Sequence, residues 1–259
     1  MPTRSSERDW HLECVEHAVD AMSVAAQRVD GSTRVPSYPT FTVASLIGHV
    51  ADVLERVDRG VATGIFDRTA PKPLLDDLDE ALRVLSASEQ TALAALRSAD
   101  DDMPLAHGFS ALPQTVAMYP RYLAIETVIH RWDIENAAAA HTPIEPRLAV
   151  VAIDNLFDAW MPLGRADSSV LTGTHRVSVV TDDTDDAWVV TFDNTGVRGL
   201  RAQEPLEAPD AEIRGSAEAL MLLLWKRLPA DNSSTSVLGD RSALNALLDL
   251  AYVPDPQRA

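Results

Sequence analysis

Between Gln114 and Ala140 the chain contains no glycine and a single proline, Pro120. Ile125, Ile129 and Ala137 recur at helical spacing, and the alanine-rich end favours helix, so the stretch predicts one long helix. At its centre lies Glu126-Thr-Val-Ile-His130-Arg-Trp-Asp133. Residues four apart project from one helix face, so Glu126 and His130 stand about a turn apart on the same side. One stripe of this helix reads Tyr119, Tyr122, Glu126, His130, Asp133, Ala137. A bundle helix buries its apolar face, so polar groups lined up beside isoleucines need partners. A carboxylate and an imidazole held this way can bind one divalent cation. They can equally form a solvated pair that contributes a few tenths of a kcal/mol. Spacing alone leaves both readings open.

The preceding chain supplies three more helices. Arg8 to about Val29 carries a stripe of Trp10, Cys14, Ala18, Ala21, Met22 and Ala25. On that stripe Cys14 reads as a small buried hydrophobe rather than a nucleophile. His11 and His17, on the same helix, read as surface or boundary residues. Asp30 to Pro39 reads as a connection rich in Gly, Ser and Pro. Thr42 is placed to N-cap the second helix, with Phe41 before it as a staple, and the helix runs from Val43 to near Gly60. His49 falls near its inward face, either as a hydrogen-bonded core residue or as a metal ligand. Pro71 and Pro73 precede a third helix at about Leu78–Ser98. Four helices with one longer connection predict a four-helix bundle.

Beyond Pro143 the texture changes. Pro146 to about Met161 repeats Leu148, Ala152, Leu156 and Trp160 every four residues and predicts a fifth helix, ended by Pro162 and Gly164. The period then switches to two. Thr174–Thr181 and Ala187–Phe192 predict a hairpin across Asp182–Asp186, with further strands near Val197–Ala202 and Ala211–Arg214. Ser216 caps a helix predicted for Ala217–Leu228, and Ser242–Leu250 predicts a last one. The expected architecture is therefore α+β overall: a helical bundle over residues 1–145 and a small α+β domain over 146–259. The Asp182–Asp186 run lacks the glycine and terminal glutamate of a calcium loop and reads as a solvated turn.

Composition narrows the function. A net charge of −17 over 259 residues argues against nucleic acid and anionic membrane surfaces as partners. No apolar run has transmembrane length, and the N-terminus lacks a signal-peptide core, so the expected location is the cytoplasm. One cysteine excludes an intramolecular disulfide and any cysteine-based zinc cluster.

Three segments together resemble one family. They are Phe41-Thr-Val-Ala-Ser-Leu-Ile-Gly-His49, Glu126-Thr-Val-Ile-His130-Arg-Trp-Asp133, and Ile213-Arg-Gly-Ser-Ala with Trp225-Lys-Arg227 and Gly239-Asp240. The chain is similar over nearly its whole length to the actinobacterial, mycothiol-dependent maleylpyruvate isomerase family, whose N-terminal bundle is DinB-like. The resemblance implies a divalent metal, usually zinc, held by His49, Glu126 and His130. It implies mycothiol as cosubstrate and a thiol transferase or cis–trans isomerase acting on a small electrophile that can bear a carboxylate. It also implies a catalytic role for Arg227, whose guanidinium could clamp a carboxylate. The alternative is an arginine bound to its own helix C-terminus.

The chain departs from the family pattern at Phe41, where Trp is usual, and at Lys226, where Gly is usual before the arginine. Arg214 is the second choice for the clamp. Asp133 could orient His130 or form a structural ion pair, and Tyr119 and Tyr122 could line the cavity or pack in the core. His107, His141 and His175 read as surface residues. Two other classes remain open at the sequence level: a non-catalytic metal- or small-molecule-binding protein, and a zinc hydrolase activating water. The oligomeric state and the electrophile are left open.

Overall fold

The computed structural model describes residues 4–67, 74–107, 112–161, 173–193, 196–202 and 207–250. Pro71, Pro73, Pro162 and Gly164 lie outside them. The chain divides into two compact units between Thr142 and Pro143.

The first unit is a bundle of α1 (Arg4–Ala26), α2 (Val43–Thr63), α3 (Leu78–Ser98) and α4 (Met118–Ala137). Its tight pairs are α2 with α3 and α1 with α4, and α2 packs on α4 to join them. Local chemistry sets the helix ends. Thr42 Oγ1 accepts from Ser45 N while Ser45 Oγ accepts from Thr42 N, a reciprocal capping box. Asp77 Oδ1 accepts from Glu80 N to start α3. The second helix runs past its expected end near Gly60 and stops at Gly64, whose φ of 73° fits only a residue tolerant of the left-handed region.

Gly60 is instead a contact point. A Cβ there would stand 1.8 Å from Tyr119 Oη, so only glycine lets α2 and α4 approach this closely. Tyr119 and Tyr122 are core residues, packed edge-on against Phe66. The α4 helix is buried on nearly every side, including Thr127, His130, Asp133 and Glu135.

Three expectations in this unit are corrected. The buried face of α1 is centred on Leu12, Val15, Ala18, Val19, Met22 and Ala25. The Trp10–Cys14–Ala21 line lies on its flank, so Cys14 is only partly buried. His11, expected at the surface or boundary, is buried beside the Trp10 ring, whereas His17 is exposed. The segment read as a plain connection carries a small antiparallel hairpin, β1 (Arg34–Val35) and β2 (Tyr38–Thr42), turning at Pro36-Ser37.

The second unit contains α5 (Pro146–Asn155), which widens into a π-helical turn over Leu156–Trp160. The sheet comprises β3 (His175–Thr181), β4 (Ala187–Asp193), β5 (Gly196–Ala202), β6 (Ala211–Gly215) and β7 (Thr235–Gly239), in the order β5-β4-β3-β6-β7. All neighbours are antiparallel except β3 and β6. Val177, Val179, Trp188, Val190, Phe192 and Ile213 share one fully buried face, as the period of two requires. On that face Trp188 Nε1–H donates to Asp154 at the end of α5. Helices α6 (Ala217–Leu224) and α7 (Arg241–Leu250) pack on β3 and β6. The α6 helix ends earlier than the apolar run suggested, because Lys226 adopts φ 60° and Arg227 N and Leu228 N turn back to Leu222 O. A side chain in that conformation costs roughly 1–2 kcal/mol, which a glycine would avoid.

The α2–α4 contact makes a prediction. Helix propensity favours Gly60→Ala, but overpacking against Tyr119 should destabilise the protein by about 1–3 kcal/mol. Tyr119 Oη has no hydrogen-bond partner among the described residues. Tyr119→Phe should therefore be neutral or stabilising, and should shrink the cost of Gly60→Ala in the double variant. Urea denaturation checks both, and a stabilising Gly60→Ala would contradict the contact.

Candidate metal centre

His49 is placed by the capping box that fixes the start of α2, and Glu126 and His130 by successive turns of α4. As α2 runs from His49 to Gly60, its contacts on α4 run back from His130 and Glu126 to Tyr119, so the two helices are antiparallel. One donor atom each from His49, Glu126 and His130 lies within 4.8 Å of the others. Glu126 Oε1 stands 3.3 Å from His49 Nε2 and 3.2 Å from His130 Nε2. Ligand bonds of about 2.0–2.1 Å in a tetrahedral site place neighbouring donors about 3.3 Å apart. The donor set and its spacing therefore fit a divalent cation with little rearrangement.

The surroundings are ordered in the same direction. His130 Nδ1–H donates to Asp133 Oδ2 at 3.0 Å, which leaves Nε2 facing Glu126. Asp133 is wholly buried, and Ser37 of the hairpin turn donates to its other oxygen. The imidazoles of His49 and His130 meet edge to face, 5.2 Å between centroids. Phe41 packs against His49 and Tyr38 lies near His130, so the hairpin walls one side of the site.

Charge follows from this packing. Burial alone would raise the Glu126 carboxyl, but the hydrogen bonds and charges of His130 and His49 overcome it and hold Glu126 well below the usual carboxylate range. Burial alone would lower His130, but hydrogen bonds to Asp133 and Glu126 overcome it and raise the imidazole to about 9. Glu126 thus holds its negative charge and His130 its proton.

The chain matches the mycothiol maleylpyruvate isomerase N-terminal domain over residues 10–135, and the C-terminal domain of the same family over residues 147–246. The chain belongs to the mycothiol-dependent maleylpyruvate isomerase family. The crystal structure of the mycothiol-dependent maleylpyruvate isomerase is similar at a TM-score of 0.60, with 13% identity over 91% of this chain and 96% of that one. A histidine-to-alanine mutant of the mycothiol-dependent maleylpyruvate isomerase is similar at a TM-score of 0.57, with 12% identity over 86% and 91%. No curated protein matches the chain in sequence.

Within this family frame, the three residues expected as ligands stand together, and Asp133 takes the orienting position on His130. Arg227 belongs to the second unit, half-buried just beyond α6, where its guanidinium donates to Trp225 O at 2.8 Å. That contact is the helix-terminal alternative raised for it. Arg214 pairs with Glu212 at 2.6 Å, so its guanidinium is already engaged. His141 is exposed and stacks on Trp132, while His107 and His175 are half-buried. Sequence reasoning missed Ser37 and Tyr38, because nothing in a Pro-Ser-Tyr-Pro turn marks it as the wall of a site.

In metal-free protein, His130 should titrate near pH 9. A folded value above the ordinary 6.5 means that its contribution to stability is complete below about pH 6.5 and lost as pH rises through about 9. Chemical denaturation should show stability falling by roughly 2–4 kcal/mol across that window. Asp133→Asn should flatten the fall, because it removes the charge that holds the proton. An equally steep profile in the variant would contradict the assigned role of Asp133.

Proposed function

We propose that this enzyme holds one divalent cation through His49 Nε2, Glu126 and His130 Nε2, and uses mycothiol as the nucleophile in an isomerisation or S-transfer on a small electrophile. The observation that carries the reading is the convergence of two imidazole nitrogens and a carboxylate oxygen in a chain holding both domains of the family. The His₂–carboxylate set favours zinc, and three protein ligands leave a position open, as catalytic rather than structural sites do. A bound dication supplies net positive charge that lowers a thiol's pKa from about 8.5 toward neutrality or below.

The protein's own part is positional. Glu126, carrying one negative charge between two imidazoles, leaves the centre positive overall when a dication is bound. Phe41 and Tyr38 exclude water along the hairpin side. The thiolate adds to one carbon of a cis double bond, the resulting single bond rotates, and the same thiolate departs to leave the trans product. In an S-transfer the carbon–sulfur bond is kept, and the neighbouring carbon takes up a proton instead of expelling the thiolate. Arg227 is assigned the clamp on a substrate carboxylate, an assignment supported by its match to the family's arginine. Its bond to Trp225 O would then orient the guanidinium for that contact. Activation of water finds less support, because Glu126 would be occupied as a ligand and leaves no evident general base among the described residues.

Alanine at His49, Glu126 or His130 should remove most of the bound metal by elemental analysis. Mycothiol-dependent turnover should fall by more than the roughly 100-fold that losing an outer-shell partner can cost. Arg227→Ala should keep the metal and lose about 10- to 100-fold in kcat/KM on a carboxylate substrate. Cys14→Ala should leave turnover unchanged, since Cys14 lies on the flank of α1 and outside the donor cluster. Full metal loading of His49→Ala, or turnover without added thiol, would contradict the proposal.

A further inference from the structure

The polar chain behind His130 continues past Asp133 to a residue outside every motif considered so far. Ser37 sits at the turn of the β1–β2 hairpin, where Val35 pairs with Tyr38. Its hydroxyl donates to Asp133 Oδ1, while Asp133 Oδ2 accepts from His130 Nδ1–H at 3.0 Å. The buried carboxylate thus takes one donor from its own helix and one from a segment 96 residues earlier. A carboxylate held at one oxygen only can still rotate and tilt the ring it supports. Held at both, it fixes the plane and the tautomer of its imidazole. The same hairpin touches the other histidine, through the Phe41 ring 5.9 Å from that of His49.

We propose that Ser37 is a positioning residue for the metal centre, fixing Asp133 so that His130 presents Nε2 to the cation. This rests on the ligand assignment of His49, Glu126 and His130 made above. Apolar packing of Phe41 and Tyr38 could hold the hairpin in place without any polar bond. A hydroxyl aimed at the one carboxylate that supports His130 adds orientation to that packing. Direct outer-shell partners alter metal affinity by about 10- to 100-fold, and Ser37 acts one bond further out, so an effect of about 3- to 10-fold is expected.

The test compares Ser37→Thr with Ser37→Val in the full chain, an isosteric pair that differs in the hydroxyl. Zinc affinity is read by competition with a chromophoric chelator, and melting temperature is read on the metal-free protein. Ser37→Thr should bind zinc within about twofold of the parent, and Ser37→Val about 3- to 10-fold more weakly. Against an Asp133→Ala background the two should bind alike. Equal affinities of Ser37→Thr and Ser37→Val with Asp133 present would reduce Ser37 to a hairpin anchor and overturn the proposal, whatever their melting temperatures. A difference that persists without Asp133 would overturn it too, since the route runs through that carboxylate. His49→Ala serves as the separate control: if it binds zinc like the parent, the ligand assignment itself has failed.

Discussion

The Glu126 carboxylate, shared between an imidazole of α2 and an imidazole of α4, is the interaction on which the bundle's centre depends. A buried anion between two aromatic bases is costly unless positive charge accompanies it. In the metal-free protein the proton on His130 supplies that charge. On the function proposed above, a dication supplies it instead. Either way, the requirement sets the register of α2 against α4, and Gly60 lets the helices approach closely further along the same contact. The polar stripe on α4 that looked out of place beside isoleucines is buried because α4 lies at the centre of the bundle.

The helices and the inner strands were legible because their periods are carried by large apolar residues. The third helix runs over Leu78–Ser98, as its leucine spacing and the Asp77 cap dictate. The alternation of Val177, Val179 and Ile213 is likewise a direct imprint of one buried sheet face. Short elements held by distant contacts were not legible. The β1–β2 hairpin is anchored through Ser37 to Asp133, a contact that local pattern does not encode. Edge strand β7 carries few buried side chains and so no strong alternation. Two apolar lines share α1, and the packed one is Leu12, Val15 and Val19 rather than the adjacent Trp10, Cys14 and Ala21, which helical spacing alone does not distinguish.

The candidate ligands were legible for a different reason. Glu126 and His130 are a local pair that any helix brings together, but their third partner comes from another helix, and spacing could not join His49 to them. The family resemblance supplied that link, and the geometry places all three donors within reach of one ion. At Lys226 the resemblance is instructive in the opposite sense. Lys226 adopts a left-handed turn, with φ 60°, that a glycine would enter without strain, and the chain accepts a side chain there just before Arg227.

X-ray absorption at the zinc edge, on the full chain loaded with zinc, tests the central claim most directly. The account predicts a nitrogen and oxygen shell at about 2.0–2.1 Å, with outer scattering from two imidazoles, and no sulfur before thiol is added. On addition of mycothiol a sulfur shell at about 2.3 Å should appear. A sulfur shell already present without mycothiol, or none after saturating mycothiol, would contradict it.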